Sequence, residues 1–269
     1  MTYADLDRPP LDVDALRTAL VGPGHLWTDV VVTASTASTN ADVAAAAGQG
    51  APEGIIHTTE IQTAGRGRLD RSWEAPAGSG IAVSVLLRPT RVPAARWAWL
   101  PLLVGLAVDA TVNGFEVRAG LKWPNDVLVG DRKIAGILLE RVDTPSGPAA
   151  VVGVGLNVSL REDELPVDTA TSLAIEGATE TDRTIVLRSF LRNLETLYGS
   201  WQAFEGDPAA GIRDSYLRRC TTIGQQVRVS MPDGSILEGK ATGIDDSGRL
   251  VVGGQSLSAG DVMHVRSMT

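Results

Sequence analysis

The stretch that most restricts the fold lies between Pro93 and Asn113. Its spacing predicts one long helix, and that helix is apolar almost all round; Trp97 to Val112 is interrupted by Pro101 and Asp109. A helix without a polar face has to be covered by protein on every side. As an apolar run it is too short for a membrane span, which needs about 20 consecutive apolar residues. The chain has the material to cover it. Of 269 residues, 43% are apolar and 21% charged, the mix of an ordinary globular protein, and the length suffices for one large domain plus a small one.

The elements around that helix alternate in type. Leu11 to Leu20 has helical spacing with Asp12 or Asp14 as its cap, and Val30 to Val32 is a short β-branched strand. Ser38-Thr39-Asn40 opens a second helix through Ala41 to Ala47, stopped by Gly48. Ile55 to Ile61 and Ile81 to Leu87 read as strands, with Thr63 to Gly80 between them as a loop rich in Gly and Arg. Three strand-like runs follow, Lys122 to Val129, Lys133 to Arg141 and Ala149 to Val158, the first two joined at Gly130-Asp131 as a hairpin. Thr184 to Phe204 is an amphipathic helix, and Pro208 to Arg219 a final one.

Past about Thr221 the pattern changes to short strands: Val227-Val229, Ile236-Leu237, Ala241-Ile244, Leu250-Val252 and Val262-Val265. Asp233-Gly234, Asp246-Ser247-Gly248 and Gly253-Gly254 are the turns between them, as expected for a small SH3-like β-barrel. The predicted class is therefore α+β: a mixed sheet flanked by helices over residues 1–220, and a C-terminal β domain over residues 221–269.

Charge and cysteine content exclude several functions. A formal net charge of -8 and a pI near 4.9 argue against nucleic acid as a partner. Cys220 stands alone, so no disulfide framework and no Cys-rich zinc site can form, and a reducing, cytosolic compartment is expected. Met1 to Pro10, with Asp5, Asp7 and Arg8, has no apolar core of a secretory signal. His25, His57 and His264 are scattered and show no metal-ligand spacing.

Three clusters carry chemistry. In Gly65-Arg66-Gly67-Arg68-Leu69-Asp70-Arg71-Ser72-Trp73, glycines permit close backbone approach to a ligand, arginines supply forks of donors for phosphate or carboxylate, and Trp73 offers a flat face to a purine. By composition alone a solvated basic turn explains this loop equally well. Lys122-Trp123-Pro124-Asn125-Asp126, followed by Arg132 to Leu138, places two lysines, an amide and a carboxylate at the ends of adjacent strands. Such a set can stabilise a phosphoryl group in transfer and hold Mg²⁺; a polar hairpin with surface lysines is the alternative. In Val151 to Val158, Gly153 and Gly155 leave one strand face open to a flat ligand, unless they mark a bulge or close packing. Gly-X-Gly here is no dinucleotide fingerprint, because the third glycine and the following helix are missing.

Together, in this order, the segments resemble the biotin–protein ligases. The resemblance rests on the Gly-Arg-Gly-Arg loop ending in Arg-X-Trp at Gly65 to Trp73, Lys-Trp-Pro-Asn-Asp at Lys122 to Asp126, Arg132 to Leu138, Gly153 to Asn157, and the Ser38-Thr39-Asn40 helix start. It implies a catalytic core like that of class II aminoacyl-tRNA synthetases. It implies that biotin and ATP form biotinyl-5'-AMP and pyrophosphate, and that the biotinyl group passes to a lysine of the biotin carboxyl carrier domain of an acyl-CoA or pyruvate carboxylase. Lys133, Arg66 and Arg68 would be catalytic. Ser38, Thr39, Asn40, Gln62, Arg66, Gly67, Arg68, Lys133, Gly136, Gly153 and Gly155 would hold biotin. Arg68, Arg71, Trp73, Lys122, Asn125 and Asn157 would hold ATP or the adenylate, and Asp126 would be a Mg²⁺ ligand.

Two departures stand out. Many members carry Arg-Gly where this chain has Leu69-Asp70. About thirty-five residues precede Ser38, too few for the winged helix-turn-helix of bifunctional members, so a monofunctional ligase is expected, as a monomer or weak dimer. The rivals are a lipoate or octanoate ligase of the same fold and a non-catalytic biotin-sensing regulator. Cys220 lies far from every motif, which removes the nucleophile an octanoyl transferase needs.

Overall fold

The computed structural model describes residues 8–68, 71–231, 234–258 and 261–264. Asp5, Asp7, Leu69, Asp70, Asp233 and Val265, which entered the reading above, lie outside them. Strands β1 (Asp29–Thr33), β2 (Ile55–Thr59), β3 (Gly80–Leu87), β4 (Ala119–Lys122), β5 (Asp126–Val129), β6 (Arg132–Thr144) and β7 (Gly147–Asn157) form one seven-stranded sheet. Its order is β1-β2-β3-β7-β6-β5-β4. β1 and β2 are parallel and the remaining pairs antiparallel, which makes the sheet mixed as expected.

Period-2 alternation gives the sheet two unlike faces. Ile81, Val83, Val85 and Leu87 of β3, and Ala150, Val152, Val154 and Leu156 of β7, enter the main core. That core also takes in helices α1 (Val13–Leu20), α3 (Leu100–Gly114) and α4 (Arg183–Ala203). Among the described helices the opposite face receives α2 (Thr39–Gly48), whose Val43 and Ala47 pack on Leu86, Ala149 and Val151. Asp12 caps α1 by accepting from Ala15 N at 2.9 Å, and Ser38 caps α2 through Ala41 N.

The apolar segment begins as a 3₁₀ turn over Ala94–Trp99 and continues as α3. Pro101 falls in the first α-helical turn, where its missing N–H has no partner to lose. By length and composition alone Ala94–Gly114 could cross a membrane, so the length argument above does not hold. Its covering by protein marks it instead: Leu100, Leu103, Val104, Ala107 and Val108 are fully buried in the core.

Other elements also differ from expectation. Lys122 to Val129 is not one strand but the hairpin β4–β5, turning at Trp123-Pro124-Asn125, with a cis peptide before Pro124. Pro208 to Arg219 breaks at Gly211, whose φ of 115° only glycine adopts readily, and α5 spans Ile212–Arg219.

The C-terminal strands are β8 (Gln226–Ser230), β9 (Ile236–Ile244), β10 (Leu250–Val252), β11 (Gln255–Leu257) and β12 (Asp261–His264), an antiparallel sheet ordered β11-β10-β9-β8-β12. β9 is one strand across Glu238-Gly239-Lys240, where two were expected, and β11 was not anticipated. This sheet is fastened to the large one by two indoles. Trp99 Nε1 donates to Asp246 O at 2.8 Å, and Trp123 Nε1 to Gly248 O at 3.1 Å. Val227, Val229, Leu250 and Val252 join the same core as α3.

Candidate active site

On the face of the sheet that α2 leaves partly uncovered, cross-strand register brings residues with little or no side chain into rows. Ala82, Gly155 and Gly136 stand opposite one another on β3, β7 and β6. Ser84, Gly153 and Leu138 form the next row, and Leu86, Val151 and Glu140 the one beyond. From the first two rows Ala82, Gly155, Gly136, Gly153 and Leu138 form the floor of a cavity, and Ser84 is fully buried. The rim of the cavity is the start of α2, Gln62, Arg66 to Arg68 and Arg71 to Trp73 of the Arg/Gly loop, and the turn at Lys122 to Asp126.

Lys133 reaches this floor because β6 is irregular. Val127 pairs with Ala135 but Leu128 with Lys133, so Ile134 is an extra residue in the ladder. Without that bulge, alternation would put Lys133 on the core side with Ala135 and Ile137. With it, Lys133 joins Gly136, and a Cβ at Gly136 would stand 3.1 Å from Lys133 Nζ. The ammonium pairs with Asp126 Oδ1 at 2.7 Å and lies 5.7 Å from the centre of the Trp73 ring.

The loop folds back on itself: Trp73 N donates to Gly65 O at 2.9 Å and Gly67 N to Arg71 O at 2.6 Å. Glycine is required at its base, where a Cβ at Gly65 would collide with Trp73 O. Arg68 Nη1 donates to Asn125 Oδ1 at 3.1 Å, and Arg66 pairs with Glu140 at 3.2 Å. Asn125 extends the β5–β6 ladder, its Oδ1 aside: its backbone O accepts from Ile137 N and its Nδ2 donates to Ile137 O, both at 2.9 Å.

At the other end of the floor sits a buried polar chain. Gln62 Oε1 accepts from Thr39 N at 2.9 Å and contacts Thr39 Oγ1 at 3.0 Å. Thr39 Oγ1 is 2.7 Å from Ser84 Oγ, which donates to Asn40 Oδ1 at 2.6 Å. Asn40 Nδ2 donates to Glu140 Oε2 at 2.7 Å. The two glycines are explained by what lies on them. A Cβ at Gly153 would collide with the Asn40 amide, and one at Gly155 with the Trp73 indole. The open faces expected above them are thus occupied by the chain's own side chains.

Of the site residues expected from sequence, Ser38, Thr39, Asn40, Gln62, Arg66, Gly67, Arg68, Arg71, Trp73, Lys122, Asn125, Asp126, Lys133, Gly136, Gly153 and Gly155 all line the cavity. Asn157 does not. It is 4% exposed, and its Nδ2 donates to Thr171 O at 2.9 Å, tying β7 to the segment that follows it. Asp126 lines the cavity with Oδ1 2.7 Å from Lys133 Nζ, and among the described residues no three His, Cys, Asp or Glu side chains gather around it. Ser84 and Glu140 were missed. The signal for Ser84 was a lone hydroxyl in the apolar run Ile81 to Leu87.

Comparison with known proteins agrees with this geometry. The model of the Biotin/lipoate A/B protein ligase family matches residues 32–157, and that of the Biotin protein ligase C terminal domain residues 222–265. The chain is 44% identical to the biotin--[acetyl-CoA-carboxylase] ligase of Mycobacterium tuberculosis, over 99% of this chain and 100% of that one. It is 34% identical to the bifunctional ligase/repressor BirA of Bacillus subtilis, over 88% of this chain and 71% of that one. Among solved structures, the biotin protein ligase from Aquifex aeolicus in complex with biotin and ATP superposes with a TM-score of 0.75 at 25% identity, covering 90% of this chain and 100% of that chain.

Proposed function

Because the chain belongs to the biotin–protein ligase family, we infer that this cavity is where it activates biotin. The overall activity is ATP-dependent ligation of biotin to a lysine on a carboxylase carrier domain. A carboxylate is a poor electrophile, so biotin first displaces pyrophosphate from ATP and becomes the acyl half of a mixed anhydride with AMP. The carrier's amine then attacks the acyl carbon, and AMP leaves.

One observation carries the assignment of residues to these steps. A flat floor runs between a polar end, at Thr39 and Asn40, and a cationic end, at Lys133 and Arg68; Arg66 lies toward the polar end, where it shares Glu140 with Asn40. We assign the ureido ring to the polar end. The carboxylate and α-phosphate then fall near Lys133, whose ammonium offsets the charge that builds up as the anhydride forms. Arg66, Gly67 and Arg68 cover the adenylate and keep water from it. Arg71, Trp73, Lys122 and Asn125 face the nucleotide. Lipoate fits less well, because its dithiolane offers no hydrogen-bonding group to this polar end.

We divide the chain after residue 220 into this catalytic unit and a C-terminal unit, residues 221–269. We take the acceptor to be the carrier domain of an acyl-CoA or pyruvate carboxylase, and the compartment to be the cytoplasm. A single buried thiol at Cys220 supports the last point, and the net charge of -8 supports a protein rather than a nucleic acid acceptor.

Exchange of ³²P-pyrophosphate into ATP tests the reading. Exchange should require biotin and not respond to lipoate. In Lys133→Ala it should fall about 10²–10³-fold with an unchanged circular dichroism spectrum. Exchange with neither acid would sink the assignment, and wild-type rates in the variant would remove Lys133 from it.

A further inference from the structure

We propose that Glu140 is a positioning residue that sets the direction of the protons at the polar end of the cavity, and so determines that an N–H edge is recognised there. The proposal rests on the biotin-activating reading above. It follows from counting hydrogens. Both amide orientations are fixed by their neighbours. A carboxylate only accepts, so the Asn40 atom 2.7 Å from Glu140 Oε2 is nitrogen, and its oxygen faces Ser84. A backbone N–H only donates, so the Gln62 atom 2.9 Å from Thr39 N is oxygen.

Between these two amide oxygens lie two hydroxyls and three oxygen–oxygen contacts, at 3.0, 2.7 and 2.6 Å. Two protons cannot serve three contacts. The two short ones need them most: Ser84 donates to Asn40, and Thr39 therefore donates to Ser84. The 3.0 Å contact between Thr39 Oγ1 and Gln62 is left without a proton. Thr39 Oγ1 then offers only lone pairs to the cavity. A ligand beside it must donate, as a ureido N–H does and a ring ether oxygen does not.

Glu140 polarises the whole series, since each link strengthens the next in a buried setting. Ser84 is fully buried and stands opposite Gly153, whose missing side chain lets the Asn40 amide lie there. Without the Glu140 carboxylate, the Asn40 nitrogen keeps only the long bond to Leu138 O, at 3.4 Å, and can turn toward Ser84. The Ser84 proton can then go to Thr39, and the Thr39 proton is shared between Gln62 Oε1 and a ligand in the cavity.

The test compares wild type, Glu140→Ala, Ser84→Ala and the double variant by pyrophosphate exchange. The ligands are biotin and its two cyclic-carbamate analogues, each with one ureido N–H replaced by oxygen. In either single variant KM for biotin should rise about tenfold while KM for ATP moves by less than about twofold. Discrimination against one analogue should shrink by about tenfold, because a turned Thr39 hydroxyl can donate to the ring oxygen. The double variant should be no worse than the single ones, as expected for members of one chain. Additive losses would mean that Glu140 acts through Arg66 and the loop, and would overturn the proposal, as would unchanged KM or unchanged discrimination. Lack of biotin-dependent exchange in the wild-type protein would instead refute the ligase reading, and this inference with it.

Discussion

The two faces of the seven-stranded sheet are made by the same strands and do opposite things. On β3 and β7 the odd and even positions diverge: Ile81, Val83, Val85, Leu87, Val152, Val154 and Leu156 fill the core. Ala82, Gly153 and Gly155 are small, and the room above the two glycines is taken by the Asn40 amide and the Trp73 indole, which with them line the cavity. One face is built for burial and the other is kept shallow by a register that aligns glycine with glycine and alanine. Stability and binding are thus separated by one peptide unit along a single strand.

That separation can be broken from either side. Gly155→Val should give the largest effect. The added side chain enters the space of the Trp73 indole and the floor of the cavity, and kcat/KM for biotin should fall about 100-fold, with the melting temperature little changed. Steady-state exchange assays beside calorimetry would show both; a variant that simply melts early would merge the two faces into one. Leu87→Ala works on the core side. It should remove about 2–5 kcal/mol of stability, read from urea unfolding, while kcat/KM per folded molecule stays at the wild-type level.

A smaller effect comes from pH. Burial lowers the pKa of His57, on β2, against the opposing pull of Asp42, and burial likewise lowers that of His264, on β12 of the C-terminal sheet. A histidine whose folded pKa is depressed binds fewer protons folded than unfolded. Stability should therefore be intact above the ordinary value near 6.5 and decline as pH falls below it. The urea midpoint of wild type should drop more between pH 7.5 and 5.5 than that of His57→Gln; equal drops would assign the loss to other groups.

What could be read from the sequence was whatever depends on residue type in chain order. Arg/Gly spacing at Gly65 to Trp73, the Lys122 to Asp126 block and the Ser38 helix start needed no knowledge of what lies across the sheet. The turn inside Lys122 to Val129 is marked in the sequence by Pro124-Asn125, two turn residues ahead of the strand-forming Val127 to Val129. What could not be read depends on register. Ser84 and Glu140 matter only because β3, β7 and β6 align them with Gly153, Val151 and Asn40. Asn157 had the right residue type in the right motif, yet its amide is spent on Thr171 O.

The irregular pairing at Ile134 has a consequence for how this chain can change over generations. Deleting that residue would repair the β5–β6 ladder and give a more regular strand. Lys133 would then directly precede Ala135, so alternation would still turn it to the floor beside Gly136. Indels are commonly harmful because they disorder a structure. Here a one-residue loss would tidy the strand and spare the lysine's direction, and its cost would fall on the core, which loses the buried Ile134 side chain.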